Sequence, residues 1–307
     1  MLAFLLAGLL SPLAGDASPF PGKILAADRS TGKLAVVDAS GRVFWEIKNK
    51  HDVHDLHRLP NGNILTHTSH TTVVEISPAK EIVWKYESKP NDGTKGRVEV
   101  HAFQRLPDGN TMIAESGNCR IIEVDPSGNI VKEVPLALPK PDAHRDTRMV
   151  RKLKNGNYLV CHESIGTVRE YDAAGKIVWF YTLDLNGRER SGGHGVEGHG
   201  VEVYGAIRLD NGNTLIGGGN NNRVLEVSPD KKIVWSLDQK ELPGITLAWV
   251  TTVNVLKDGV IVIGNCHAGP KNPQLIAVTR DKKVVWTWTD FKNFGDNTAS
   301  AIVWDGE

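Results

Sequence analysis

The sequence predicts an all-β fold, a six-bladed β-propeller with four strands in each blade, and three observations carry that expectation. Asn-Gly or Asp-Gly pairs recur at Gly62, Gly109, Gly156, Gly212, Gly259 and Gly306, with spacings of 47, 47, 56, 47 and 47 residues. Such pairs tolerate the positive φ of tight hairpin turns, so one supersecondary unit is copied along the chain. Around each turn the same string of short apolar runs returns, enough for four strands in a unit of blade length. The last run of the unit reads Ile-Val-Trp at Ile82-Val83-Trp84, Ile177-Val178-Trp179 and Ile233-Val234-Trp235.

The elements follow in order. A first strand ends in Arg58-Leu59, Arg105-Leu106, Lys152-Leu153 or Arg208-Leu209 and runs into the glycine turn. The second strand begins at once, as in Thr111-Met112-Ile113 or Thr214-Leu215-Ile216. A third reads Val73-Val74-Glu75-Ile76, Ile121-Ile122-Glu123-Val124 or Val224-Leu225-Glu226-Val227 and closes in a second turn, near Gly41, Pro78, Ser127, Ala173, Pro229 and Asp281. The fourth strand departs from Ile-Val-Trp as Val43-Phe44-Trp45 in blade 1, Ile130-Val131-Lys132 in blade 3 and Val284-Val285-Trp286 in blade 6. The first unit, from Ile24, lacks an inner strand, and Ala301-Ile302-Val303-Trp304 at the other end supplies one. Blade 1 is therefore expected from residues 22–49 and 297–307, blades 2 to 6 from 50–296, with the clasp removing open sheet edges.

Composition narrows the function classes. Lys+Arg and Asp+Glu balance at 36 each, which gives no electrostatic support for a nucleic-acid partner. No apolar run is long enough to span a bilayer, so no transmembrane segment is expected. Residues 1–17, apolar through Leu10 and then small, read as a signal peptide without a basic start, which implies a secreted or periplasmic protein; the alternative is a short tail packed on the propeller. Cys119, Cys161 and Cys266 lie in different blades and form neither a disulfide framework nor a Cys-x-x-Cys metal pair.

Function is sought among the histidines. In a propeller the fourth-to-first and second-to-third connections share one face. His51, His54, His101, His144, His194 and His199 fall in or next to the former, His67, His70, His162 and His267 in the latter; His57 lies in an inner strand. One face is chemically loaded. Two rings of equivalent positions should line its funnel: His54, His101, Arg148, Tyr204, Thr251 and Thr298, and, six residues after each turn glycine, Thr68, Glu115, His162, Gly218 and Asn265, with Asp28 in blade 1. Tyr204, Trp249, Thr251, Glu115, His162 and Asn265 are the expected ligand contacts. The nine-residue excess between Gly156 and Gly212 lies in the glycine-rich stretch 187–202, where His-Gly-Val-Glu occurs twice. It is either a lid carrying His199 over the channel or a solvated insertion, and its His/Glu content allows a metal ion.

The pattern from His54 to Asn63 with Glu75 to Trp84, and from His101 to Asn110 with Glu123 to Val131, resembles the bacterial arylsulfotransferase-type propellers. That resemblance implies sulfuryl transfer between phenols through a channel histidine, with His54, His101, His199 and Arg148 as catalytic candidates. The nucleophile stays open, because His54 is followed by Asp55 and His101 by Ala102 where that family has His-Asn pairs. The segment Ala27 to Lys33 and the blade-terminal tryptophans also resemble pyrroloquinoline quinone-type repeat proteins, many of them non-catalytic binding or assembly modules. Six blades and no vicinal Cys-Cys argue against the quinone. Three readings stand: an extracytoplasmic transferase or hydrolase acting on a small anionic or aromatic ester in the channel; a propeller binding a ligand, glycan, peptide or protein; and a metal-dependent lyase or hydrolase.

Overall fold

The computed structural model describes residues 22–91, 96–138 and 141–304. The expected signal peptide and the sixth glycine turn, at Gly306, lie outside them. The described residues form six four-stranded antiparallel sheets, and the propeller read from the repeat is the fold observed. Blade 1 comprises β1 (Lys23–Asp28), β2 (Lys33–Asp38), β3 (Val43–Lys48) and β24 (Ser300–Trp304). Blade 2 has β4 (His57–Arg58), β5 (Ile64–His67), β6 (Thr72–Ile76) and β7 (Ile82–Glu87). Blade 3 has β8 (Val100–Arg105), β9 (Thr111–Glu115), β10 (Arg120–Val124) and β11 (Ile130–Pro135). Blade 4 has β12 (Met149–Lys152), β13 (Tyr158–His162), β14 (Thr167–Tyr171) and β15 (Ile177–Thr182). Blade 5 has β16 (Gly205–Arg208), β17 (Thr214–Gly217), β18 (Val224–Val227) and β19 (Ile233–Leu237). Blade 6 has β20 (Trp249–Val255), β21 (Ile261–Cys266), β22 (Leu275–Val278) and β23 (Val284–Trp288). No helix among the described residues is long and apolar enough to cross a membrane.

The clasp pairs β24 with β1 from Lys23↔Trp304 to Ala27↔Ser300. The glycine turns are three-residue hairpins. Gly62 donates to Leu59 O at 2.9 Å and Leu59 donates to Asn63 O at 2.8 Å, with Gly62 at φ +84°, a left-handed position that favours glycine.

The core is a set of wedges between blades. Ile24, Ala35, Val262, Ala277 and Trp286 fill the wedge between blades 6 and 1, and Leu65, Val73, Phe103 and Ile113 fill that between blades 2 and 3. Polar staples run beside them. Glu75 on β6 accepts from Asn63 of its own turn at 2.5 Å and from Arg105 of the next blade at 2.6 Å. Glu170 repeats this with Asn157 and Arg208, at 2.6 and 2.7 Å. The fourth-strand tryptophans complete the staple: Trp84 donates to Pro126 O at 3.2 Å and Trp179 to Pro229 O at 3.0 Å, with Arg105 and Arg208 over their rings. In blade 3 the position holds Lys132. Its ammonium lies 5.3 Å from the Tyr158 ring, and Tyr158 donates to Glu123, which also accepts from Lys152 at 2.6 Å. The aromatic ring at this interface comes from the following blade.

Candidate functional site

Two links join blades that are not neighbours. Asp55 in blade 2 accepts from both terminal nitrogens of Arg151 in blade 4, at 2.8 Å each, and from the Phe103 backbone N–H at 3.1 Å. Tyr204 in blade 5 donates to His54 O at 3.3 Å. A cavity of about 270 Å³ lined by Asp55, His57, Arg151, Asn254 and Ile302 opens beside the first link.

Imidazoles assemble in blades 2 and 3 and the connection that follows them. His70, His51, His67, His54, His101 and His144 form a continuous chain with successive ring separations of 4.6, 4.7, 5.9, 4.8 and 6.0 Å. His101 owes its direction to a bulge: β8 and β9 shift register between Val100 and Ala102, leaving His101 as the extra residue. A bulge re-aims one side chain without disturbing the rest of the strand. Burial favours the neutral form of four of these rings. It pulls His101 and the half-buried His51 down to about 4, and His54 and His67 well below the ordinary histidine value.

Arg148 stands next in the ring. The loop that delivers it is tied by Asp146, which accepts from Asp142 N at 2.7 Å and whose carbonyl accepts from Ser116 Oγ at 2.6 Å. Arg148 Nε donates to Glu163, and the guanidinium carbon lies 6.0 Å from the Tyr204 ring centre. Burial opposes its charge, but Glu163 more than offsets that and holds the guanidinium protonated. Arg148 Nη1 and His54 Nδ1 are buried and have no hydrogen-bond partner among the described residues. The same guanidinium adds to the lowering of His54, which places the two side chains within electrostatic reach.

Tyr204 continues into an aromatic wall with Trp249 and Cys266. The 187–202 insertion reaches this wall. Ser191 and His199 pair through backbone hydrogen bonds of 2.9 and 3.0 Å, closing a small loop. Its His194 ring lies 4.5 Å from Trp249 and 5.6 Å from His267. His199, expected over the channel, is pinned at the base of the loop. Its Nδ1 meets Asn222 Oδ1 at 2.8 Å and its Nε2 meets Leu185 O at 2.9 Å. The histidine facing the aromatic wall is His194.

The second expected ring does not gather with the first. Glu115 accepts from Arg120 at 2.6 Å and Asn118 at 2.7 Å within blade 3. His162 Nε2 meets the Tyr171 hydroxyl at 2.8 Å inside blade 4. Asn265 accepts from Ala248 N at 2.8 Å and donates to Thr246 O at 3.2 Å, clamping a loop. Asp28 caps Thr31 N and Asn297 N at 2.9 Å each and stands 3.5 Å from Thr298 Oγ1. Thr251 of the first ring packs on its own sheet, where a Cβ on Gly264 would lie 2.4 Å from its Oγ1. Of the residues expected in the site, His54, His101, Arg148, Tyr204 and Trp249 come together.

Sequence reasoning missed Glu99. It is buried, sits at φ +42°, and its Oε2 lies 3.2 Å from His101 Nε2, 2.9 Å from His144 Nδ1 and 3.7 Å from His70 Nδ1. Burial raises its carboxyl, but the hydrogen bonds from His101 and His144 outweigh that and hold it below the carboxylate range. Arg97 pairs with Oε1 at 2.5 Å. Gly117 lets this segment approach: a Cβ there would stand 1.8 Å from Arg97 O. A local Glu-x-His signal was present in the sequence, but nothing in it joins Glu99 to His144.

Residues 30–288 match the PQQ_2 family, described as outer membrane protein assembly factor BamB. The chain belongs to this family. No curated protein matches it. Among solved structures it is similar to a protein of unknown function from Bacteroides caccae, at 22% identity and a TM-score of 0.76, over 92% of this chain and 99% of that one. A streptogramin B lyase superposes at 15% identity and a TM-score of 0.60, over 91% of this chain and 85% of the lyase. A catalytically inactive virginiamycin B lyase from Staphylococcus aureus with quinupristin does so at 11% and 0.59, over 91% and 87%. At such identities these structures share the fold alone. The PQQ-like repeat is thus the family resemblance that the comparisons support, and the arylsulfotransferase resemblance is not. The donor set does not fit the quinone: calcium takes oxygen ligands, whereas this cluster offers mainly imidazole nitrogens, and the three cysteines lie in separate blades.

Proposed function

We propose that this chain is a ligand-binding propeller whose histidine-lined funnel captures a small oxyanion, or an anionic aryl ester, between Arg148 and His54. One observation carries the reading: Arg148 Nη1 and His54 Nδ1 are buried polar atoms without partners among the described residues, on two members of one ring that lie within electrostatic reach of each other. Leaving such groups unsatisfied costs about 1–3 kcal/mol each, and an anion that accepts from both removes the cost. A guanidinium suits the oxygens of sulfate, phosphate or carboxylate. Tyr204, Trp249 and His194 offer rings to an aryl group. Because Glu163 balances the Arg148 charge, selectivity rests on directed donors more than on net potential.

Thermal unfolding with sulfate, phosphate and 4-nitrophenyl sulfate tests this. At a ligand concentration a hundredfold above Kd, binding adds about 2.7 kcal/mol and raises Tm by several degrees. Arg148→Gln removes the shift. No shift with any of the three anions, or an equal shift in Arg148→Gln, would overturn the reading.

A second reading, sulfuryl transfer, has one observation in its favour: His54 is neutral, with an unengaged ring nitrogen beside a guanidinium. A nitrogen–sulfur bond would form as the aryl oxygen–sulfur bond breaks and phenolate leaves. Release of 4-nitrophenol that depends on a phenol acceptor would support it, and a flat trace from folded protein would leave the binding reading alone. The family description supports a third use of the same face, contact with a protein during outer-membrane assembly, and an extracytoplasmic location that cell fractionation would check.

A further inference from the structure

We infer that Glu99, His101 and His144 form a binding site for one divalent first-row transition-metal ion of the zinc class. One ring nitrogen each of His101 and His144 and one Glu99 carboxylate oxygen all lie within 4.8 Å of one another. A tetrahedral ion with ligands at about 2.1 Å needs donor separations of about 3.4 Å, and the two printed separations from Glu99 Oε2, 3.2 and 2.9 Å, are close to that. Two imidazoles and one carboxylate are a donor set that zinc and its neighbours accept, with room left for an exogenous ligand.

The surroundings orient the donors as a metal site requires. Glu99 Oε1 is tied to Arg97 at 2.5 Å, leaving Oε2 to the imidazoles. His101 Nδ1 faces Asp146 O at 3.4 Å, so that when an ion takes Nε2 in place of the proton shared with Glu99 the remaining N–H is donated there. Outer partners of this kind fix the tautomer of a ligating histidine.

Three backbone features converge on the site. His101 occupies the bulge of β8, and Glu99 and Thr147 hold φ at +42° and +50°, an uncommon conformation for residues with a side chain. Thr147 sets the turn between His144 and Arg148. The Arg148 guanidinium lies within electrostatic reach of this cluster: Glu99 helps to keep it protonated, and it adds to the lowering of His101. His70 Nδ1, 3.7 Å from Glu99 Oε2, is placed to become a fourth ligand.

The site stands on its own geometry and does not depend on the anion reading. The experiment is a titration of the full chain with Co²⁺ and, by equilibrium dialysis, with Zn²⁺ in buffer free of oxyanions. The expected result is one ion per chain and a visible Co²⁺ absorption of low-coordinate nitrogen/oxygen ligation. Glu99→Gln weakens uptake. His144→Ala, whose side chain is half exposed and whose loss the fold tolerates, weakens it by about a hundredfold or more. His194→Ala, outside the cluster, leaves uptake unchanged, and Arg148→Gln loses sulfate binding while keeping the metal. No saturable uptake, or uptake that His144→Ala leaves unchanged, would overturn the inference. Sulfate binding retained by Arg148→Gln, with the metal still bound, would count against the anion reading and not against the metal site.

Discussion

Asp55 of blade 2 and Arg151 of blade 4 meet past the intervening blade of the ring, through two contacts of 2.8 Å each. Asp55 is buried, and although burial opposes its charge, Arg151 and His57 hold its carboxyl well below the usual range. Removing one member of such a pair leaves the other charge with nothing to oppose it. Asp55→Ala is expected to cost about 3 kcal/mol, read from the urea midpoint, with a coupling above about 1 kcal/mol in a cycle with Arg151→Ala. Additive single effects would show that the link is incidental.

At the interface of blades 3 and 4 the ring of Tyr158 stands where other interfaces use the preceding blade's tryptophan. Lys132→Trp alone is expected to overpack this wedge and destabilise by about 1–3 kcal/mol. With Tyr158→Thr, the residue found at the equivalent Thr111 and Thr214, the loss is expected to be largely recovered. A double variant no more stable than the single would contradict the exchange.

Acid should loosen the fold before it affects the outer strands. His51 and His162 are lowered by burial to about 4 and about 3, and His54 and His67 lie well below the ordinary value of about 6.5. The unfolded chain takes up these protons near pH 6.5, whereas the folded chain resists them until near pH 4 or below. Stability is therefore complete above about pH 6.5 and is lost as pH falls toward 3, by on the order of 1–3 kcal/mol per ring. Asp55, with its lowered carboxyl, adds loss of the same sign at the acid end. Urea midpoints between pH 8 and pH 4 check this, and a flat profile would show that the rings are solvated.

Gly117→Ala is expected to displace the segment that carries Glu99, because the new methyl would collide with Arg97 O. The global fold, read by far-ultraviolet circular dichroism, should survive, while the Co²⁺ absorption of the Glu99 cluster is lost. Retention of that absorption would mean that the segment adapts.

The architecture was legible because the repeat is dense: turn glycines, third-strand glutamates and fourth-strand tryptophans each recur at fixed offsets. The clasp followed from counting turns against strands. The first ring of the site was legible for the same reason, since His54, His101, Arg148 and Tyr204 share one offset from the turn and so one direction of the pleat. The second ring failed where strands end. Glu115, His162 and Asn265 hold partners inside their own blades, and an offset count cannot see where a strand gives way to a loop. Glu99 and His144 lie in irregular connections, brought together by a bulge, two left-handed residues and the close approach at Gly117. His194 and His199 share the same local motif, and only the pairing of Ser191 with His199 decides which one reaches Trp249.

The most direct measurement is a crystal grown with selenate, whose anomalous signal marks the anion unambiguously. The account predicts one strong peak within hydrogen-bonding distance of Arg148 Nη1 and His54 Nδ1. An empty funnel, with selenate only at surface lysines, would contradict it.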